Sequence, residues 1–169
     1  FNHESPRRSE NFVTRKITSG ISKILTKQQK KITLGNLDAK RDWGHAKDYV
    51  LAQWLMLQQN KPKDYVIATG ENRSIRDFIK KSFEIVGYEI RFKGKGENEI
   101  GYISKIINPK IQIKNILKNT RKLSLNQKLI FVSKDFYRPL EVDTLLGDAK
   151  KAKKELGWSP KVKFEKLVE

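Results

Sequence analysis

The chain has 169 residues and no cysteine, and 37% of it is hydrophobic, with three Trp, eight Phe and five Tyr. That content supports one domain with a packed core and excludes a disordered chain. The missing cysteine excludes disulfides, iron–sulfur clusters and thiolate zinc sites and points to a reducing compartment, the cytoplasm. A formal net charge of +17 invites a nucleic-acid reading, yet 27 Lys stand against only 9 Arg. Base reading and a bidentate grip on phosphate favour Arg, so nucleic acid is not the expected partner. No apolar run approaches the length of a membrane span, so no membrane is expected as a partner either. The chain opens on Phe1 rather than Met, without a signal-peptide pattern, and reads as chain already in progress, a fragment or excised domain.

Residues 1–10 are polar and turn-like. A helix is predicted over 12–25, where Val13, Ile17, Ile21 and Ile24 recur at helical spacing. A basic connector, 27–31, leads to a short strand at 32–34, which Gly35-Asn36 stops. A charged loop is expected over 38–44. The next helix is predicted over 45–59, with Ala46, Tyr49, Val50, Gln53, Trp54 and Leu57 on its inner and flanking positions. The apolar run 65–68 suits a buried strand, and Gly70 breaks it. Ser74 begins a helix with Asp77 three residues on, Ile75, Phe78, Ile79, Phe83 and Val86 form its core stripe, and Gly87 closes it. A strand follows at 89–93. No acidic residue occurs from Tyr102 to Lys134, and 102–128 reads as a basic surface insertion with a short helix around 111–118. A strand is predicted over 128–133. A helix capped by Asp148 and ended by Gly157 follows, and something helical starts at 164. The layout is mixed α/β, and no Gly-rich phosphate loop follows any strand.

Three clusters carry candidate chemistry. Arg41 lies in Arg41-Asp42-Trp43-Gly44-His45, just before a predicted helix start, where a guanidinium beside free N–H groups suits a diphosphate. The structural alternative is an ion pair with Asp38 or Asp42. In Tyr137-Arg138-Pro139-Leu140-Glu141 the proline stiffens the turn, Arg138 suits an anion, and Glu141 suits a ribose diol. The alternative there is an Arg138–Glu141 pair stapling the loop. Arg7 and Arg8, on the Pro-stiffened segment 2–8, make an anion clamp or an ordinary surface pair. His3 and His45 are the only histidines and lack nearby carboxylates at ligand spacing, so no metal site is expected.

Together these segments resemble one family. Phe-Asn-His-Glu-Ser-Pro-Arg-Arg at 1–8, Phe-Val-Thr-Arg-Lys-Ile at 12–17 and Leu-Gly-Asn-Leu-Asp-Ala-Lys-Arg-Asp-Trp-Gly-His-Ala-Lys-Asp-Tyr-Val at 34–50 look like the GDP-mannose 4,6-dehydratases. So do Val-Ile-Ala-Thr-Gly-Glu at 66–71, Tyr-Arg-Pro-Leu-Glu-Val-Asp at 137–143 and Leu-Gly-Trp-Ser-Pro at 156–160. The 34–50 block is the most specific; shorter pieces recur in related sugar-nucleotide epimerases and dehydratases. The resemblance implies an α/β fold. Residues 1–169 would be the carboxy-terminal substrate-binding lobe of an extended short-chain dehydrogenase/reductase (Rossmann-type), with most of the nucleotide-binding sheet missing.

The resemblance also implies a reaction with bound NADP. Hydride leaves C4 of GDP-mannose, water is lost across C5 and C6, and hydride returns at C6. The product is GDP-4-keto-6-deoxymannose, a precursor of GDP-fucose. The family's Gly-rich loop, Tyr-x-x-x-Lys pair and acid–base residues are not in this chain, which alone is expected to be inactive. By similarity His3, Arg7 and Arg8 contact the cofactor, the arginine pair reaching a neighbouring subunit in a homo-oligomer (dimer or tetramer). Asn2 approaches the substrate, Lys16 and Gly35-Asn36 face the GDP part, Arg41 and Arg138 hold the diphosphate, and Glu141 holds the ribose. Ser9 departs from the family, which has Gly after the arginine pair, and it restricts the loop if the backbone there needs positive φ. Two other readings stand beside this one: a neighbouring sugar-nucleotide epimerase or dehydratase, and a non-catalytic module binding nucleic acid through the basic 102–134 stretch.

Overall fold

A computed structural model describes residues 1–110, 113–137 and 142–169. The chain divides into a first unit, built from 1–8, 39–74 and 142–169, and a second, built from 9–38 and 75–141.

The second unit is a mixed sheet covered by two helices. Its strands are β2 (Ile32–Leu34), β6 (Tyr88–Lys93), β7 (Ile100–Ile106) and β8 (Lys128–Val132), in the order β2-β8-β7-β6. β2 runs parallel to β8, with Ile32 beside Ile130 and Leu34 beside Val132; β7 is antiparallel to both β8 and β6. Helices α1 (Val13–Leu25) and α3 (Ile75–Ile85) pack on each other, α1 against β2 and α3 against β6. Ile17, Ile21 and Ile24 of α1 and Phe78, Ile79 and Phe83 of α3 are buried with Ile32, Ile90, Ile103, Leu129 and Ile130. The helical spacing read from sequence is this core, and its burial drives the packing. A single turn, α4 (Lys114–Leu117), lies between β7 and β8. The stretch read as a surface insertion from 102 is corrected at its start: residues 102–106 complete β7, an inner strand of the sheet.

The first unit contains β1 (Asn2–Glu4), β3 (Lys40–Arg41), β4 (Trp43–His45), α2 (Ala46–Leu57), β5 (Arg73–Ser74), α5 (Lys150–Leu156) and α6 (Phe164–Val168). β1 and β4 are parallel partners; β3 and β5 are antiparallel. The expected loop 38–44 is therefore two short strands. Pieces this brief carry no alternation for a sequence to display. Conversely, 65–68, expected as a strand, joins no ladder among the described residues. It is an extended segment whose groups bond elsewhere: the Phe1 amino terminus donates to the Ile67 carbonyl, and the Tyr65 hydroxyl to Glu155. α2 and α5 enclose a core of Ala52, Ala152, Leu156 and Trp158. Only Asp48, Tyr49 and Ala52 of α2 are buried; Val50, Trp54 and Leu57, expected inside or flanking, are 61%, 56% and 82% exposed. α2 is apolar around much of its circumference, so periodicity does not select a face. Asp48 ties the carboxy-terminal segment to α2: its carbonyl accepts from Trp158 Nε1 at 2.7 Å and its carboxylate from the Lys161 and Val162 amides at 2.9 Å. The helix expected to be capped by Asp148 begins one residue later, yet Asp148 Oδ1 does accept the Lys150 N–H. Among the described residues the non-glycine positions with positive φ are Lys27 and Asn126, and Ser9 is not one of them. Among the described residues no helix is long and apolar enough to cross a membrane.

Candidate functional site

Five of the expected site residues belong to the first unit. Arg41 sits on β3, half-buried, and its Nη1 donates to the carbonyls of Lys40 (2.8 Å) and Val142 (2.6 Å). The expectation that it adjoins a free helix amino terminus is corrected. β4 separates Arg41 from α2, and the helix is capped by His45, whose Nδ1 accepts the Lys47 N–H at 3.1 Å. Its neighbour Asp42 is fully buried and accepts four hydrogen bonds. They come from the Thr69 amide (2.8 Å), the Thr69 hydroxyl (2.6 Å), the Gly70 amide (2.9 Å) and the Gly147 amide (3.3 Å). That carboxylate is committed to the backbone, and Asp38, the other carboxylate considered for Arg41, binds Arg76 at 2.7 Å. Arg41 is thus held by carbonyl oxygens on a strand fixed by a buried staple. A guanidinium oriented in this way is preorganised for an anion.

Asn2 and His3 lie on β1, in register with Trp43 and Gly44. His3 is exposed; its Nδ1 is 3.2 Å from the Phe1 carbonyl, and its ring is 5.1 Å from that of Tyr49. The Tyr49 hydroxyl is buried without a hydrogen-bond partner among the described residues. Burial, then the carboxylates of Asp42, Asp48 and Glu4, push its pKa well up, so it stays a neutral phenol. Arg7 is exposed on a turn held by the Ser5 hydroxyl, which accepts the Arg7 N–H at 3.2 Å. Arg8 differs: its Nε lies 3.4 Å from the buried carboxylate of Glu4. The expected arginine clamp therefore divides into one outward cation and one tied inward.

Three of the described site residues belong to the second unit. Gly35 and Asn36 follow β2. A side chain at Gly35 would meet the Phe136 carbonyl, so glycine is required by close approach. The Asn36 side chain accepts the Asp38 N–H at 2.9 Å, closing the turn. Lys16 projects from α1 with its ammonium 3.4 Å from the centre of the Phe136 ring, and burial lowers its pKa. A partly desolvated cation gains by meeting an anion. Arg76, which sequence reading did not single out, fixes this turn. It donates to Asp38 and Glu99, and its amide donates to the Leu37 carbonyl. Its partners lie 38 and 23 positions away, so no local signal announced it. Arg138 and Glu141 lie outside the described residues.

The chain matches the family described as GDP-mannose 4,6 dehydratase over residues 1–169. The GDP-mannose 4,6 dehydratase of Homo sapiens is 51% identical over 168 residues, covering 99% of this chain and 40% of that protein. That of Drosophila melanogaster is 50% identical, covering 99% and 38%, and that of Vibrio cholerae serotype O1 is 48% identical, covering 99% and 43%. This chain thus spans about two fifths of the length of these relatives. Among solved structures, RMD from Pseudomonas aeruginosa complexed with NADPH aligns at a TM-score of 0.67 and 17% identity, covering 99% of this chain and 43% of that one. The dTDP-glucose 4,6-dehydratase of Bacillus anthracis in complex with NAD aligns at 0.60 and 15%, covering 99% and 39%. These two share the fold. With a family match over every residue and half of all positions identical in distant relatives, the chain belongs to the GDP-mannose 4,6-dehydratase family.

Proposed function

We propose that this chain is the carboxy-terminal, substrate-binding portion of an NADP-dependent GDP-mannose 4,6-dehydratase, a cytoplasmic hydro-lyase making GDP-4-keto-6-deoxymannose. The observation that carries the reading is Arg41. It is a half-buried guanidinium held by two carbonyls on a strand that Asp42 anchors from behind. Such a cation neutralises a diphosphate while costing little reorganisation. Lys16, on its aromatic platform, and the turn at Gly35-Asn36 serve the guanosine side; Asn2 approaches the sugar, and Arg138 and Glu141 complete the grip on diphosphate and ribose.

The residues expected at the cofactor fit an NADP phosphate in part. Arg7 offers an exposed guanidinium on a fixed turn and His3 an exposed ring, while Arg8 is engaged by Glu4. Bound NADP supplies the hydride acceptor and donor. This chain contributes binding and orientation, and because it contains neither a Gly-rich phosphate loop nor a Tyr-x-x-x-Lys pair, it does not turn over alone. The active form is a homo-oligomer.

Arg41→Ala in the complete enzyme tests the reading. A charged hydrogen bond contributes ~1.5–3 kcal/mol, so GDP-mannose binds at least about tenfold more weakly. Titration calorimetry reads the change, and unaltered affinity refutes the assignment. Product analysis with GDP-mannose beside UDP- and dTDP-sugars separates this enzyme from its epimerase and dehydratase neighbours.

A further inference from the structure

The strand register of the second unit sorts charge to one end of its sheet. β2 and β8 are parallel, and β7 and β6 alternate against them. The starts of β2, β8 and β6 therefore lie at the same end as the finish of β7. Lys31 precedes β2, Lys128 opens β8, and Lys105 ends β7 beside Ile106. The same end receives the carboxy terminus of α1, because the Arg121 amide donates to the Leu25 carbonyl at 2.8 Å. It also receives that of α3, because the Lys110 amide donates to the Ile85 carbonyl at 3.1 Å. Lys27 and Lys30 follow α1 here, Lys114 and Lys118 lie between Lys110 and Arg121 in the sequence, and Lys122 follows Arg121.

No acidic residue occurs from Asn11 to Leu37 or from Ile100 to Lys134, and these are the two stretches that meet here. The carboxylates that reach the elements ending here are paired with lysines: Glu84 with Lys81 at 2.9 Å, Glu89 with Lys105 at 3.7 Å, and Glu10 with Lys23 of α1 at 2.6 Å. Three aliphatic side chains stand exposed among the cations. Ile106 is 56% exposed, Ile116 on α4 is 70% exposed, and Leu125, at the tip of the turn before β8, is 55% exposed.

We propose that this end of the sheet is a docking face for an anionic lipid surface. Lysines supply the attraction to headgroups, and Leu125, Ile116 and Ile106 enter the headgroup–acyl boundary, the pairing of basic and aliphatic residues that interfacial binding uses. Peripheral docking of this kind needs no spanning segment, so the absence of an apolar run of that length does not bear on it. The aliphatic tips favour lipid over nucleic acid, since a phosphate backbone gives them no partner. Among the described residues this end also presents no exposed aromatic ring on which bases would stack. Gly35 and Asn36 lie past the other ends of the same strands, so the docked unit keeps its candidate substrate turn turned away from the surface.

The test is flotation of the protein expressed from its complete gene with vesicles of phosphatidylcholine alone or with phosphatidylglycerol added. Binding is expected only to the anionic vesicles and is lost at high salt. Each juxtamembrane lysine is worth about fivefold, so Lys118→Ala/Lys122→Ala/Lys128→Ala weakens partitioning about 100-fold, while the triple Lys→Arg variant retains it. Leu125→Ser weakens it about tenfold at unchanged charge. No flotation with anionic vesicles at low salt overturns the proposal, as does equal binding to neutral vesicles. So does binding indifferent to both the lysine and leucine variants. RNA binding with a silent Leu125→Ser and no vesicle binding replaces lipid with nucleic acid.

Discussion

Asp42→Ala removes a carboxylate with no solvent exposure that accepts from three backbone amides and one hydroxyl. Each buried donor left without an acceptor costs about 1–3 kcal/mol, and three orphaned amides alone reach about 3–9 kcal/mol. The space left by the side chain is lined by several donors, which is what a buried water requires, so water recovers part of that loss. A net cost of about 3–5 kcal/mol follows, a large share of a typical stability of about 5–15 kcal/mol. Asp42→Asn keeps one accepting oxygen but turns an N–H₂ toward N–H groups, and it costs about 2 kcal/mol. Urea unfolding measures the loss. Amide exchange locates it: Thr69, Gly70 and Gly147 lose protection first, because their bonds end on this one carboxylate. Gly147 adds to the tightness, since a Cβ there would meet Ala68 and the Phe1 ring. Unchanged exchange at the three amides in Asp42→Ala, or a loss below about 1 kcal/mol, refutes the staple.

Trp158→Ala empties the 2%-exposed position between α2 and α5 and removes the bond to Asp48; it costs about 3–5 kcal/mol in urea unfolding, and Trp158→Phe costs less. Gly35→Ala forces the turn away from the Phe136 carbonyl, destabilising by about 1–3 kcal/mol and weakening GDP-mannose binding, read by calorimetry on the complete enzyme. The hydrogen bond from Lys63, then that from Tyr65, holds the Glu155 carboxyl below its ordinary 4.5. A folded value depressed in this way contributes stability above the unfolded pKa and loses it as pH falls through the folded one. The urea-midpoint gap between wild type and Glu155→Gln is therefore open above pH 4.5 and closes below it; a gap independent of pH across that range counts against the contact.

Sequence carried the long amphipathic elements well. α1 and α3 bury the isoleucines and phenylalanines that their spacing marks, and β2, β6 and β8 begin within a residue of where apolar runs flanked by turn residues put them. It failed where an element is defined by a partner rather than by its own residues. Lys40–Arg41 and Trp43–His45 are strands only because Arg73–Ser74 and Asn2–Glu4 lie beside them. β7 contains Gly101 and ends on Lys105-Ile106, so glycine and charge masked a strand that both neighbours hold in place. The site divides along the same line. Arg41 was singled out as a candidate from residue type and family resemblance. Asp42, Asp48 and Arg76, which position the candidate residues and their surroundings, were not. Their partners lie tens of positions away and are mostly backbone amides, which look alike in any sequence.

Charge shows the same dependence on register. A net +17 in a lysine-rich chain identifies no partner, because composition speaks to solubility and non-specific association. Division into units already sharpens it: the second unit holds 21 of the 36 basic residues but 9 of the 19 acidic ones, hence +12 of the +17. Pairing β2 with β8 and β8 with β7 then moves most of that excess to the ends where the parallel strands begin. Gly35 and Asn36 lie where β2 finishes. In open α/β sheets ligands bind outside the carboxyl ends of parallel strands, so the cations gathered at the opposite end are poorly placed to serve the nucleotide sugar. The two roles are therefore separable by mutation. Lys122→Ala/Lys128→Ala leaves GDP-mannose affinity where it was while releasing the protein from anionic vesicles, and Arg41→Ala does the reverse. If the lysine pair instead weakened GDP-mannose binding, the excess charge would be acting as a steering field for the substrate, and its dependence on ionic strength would show in the association rate.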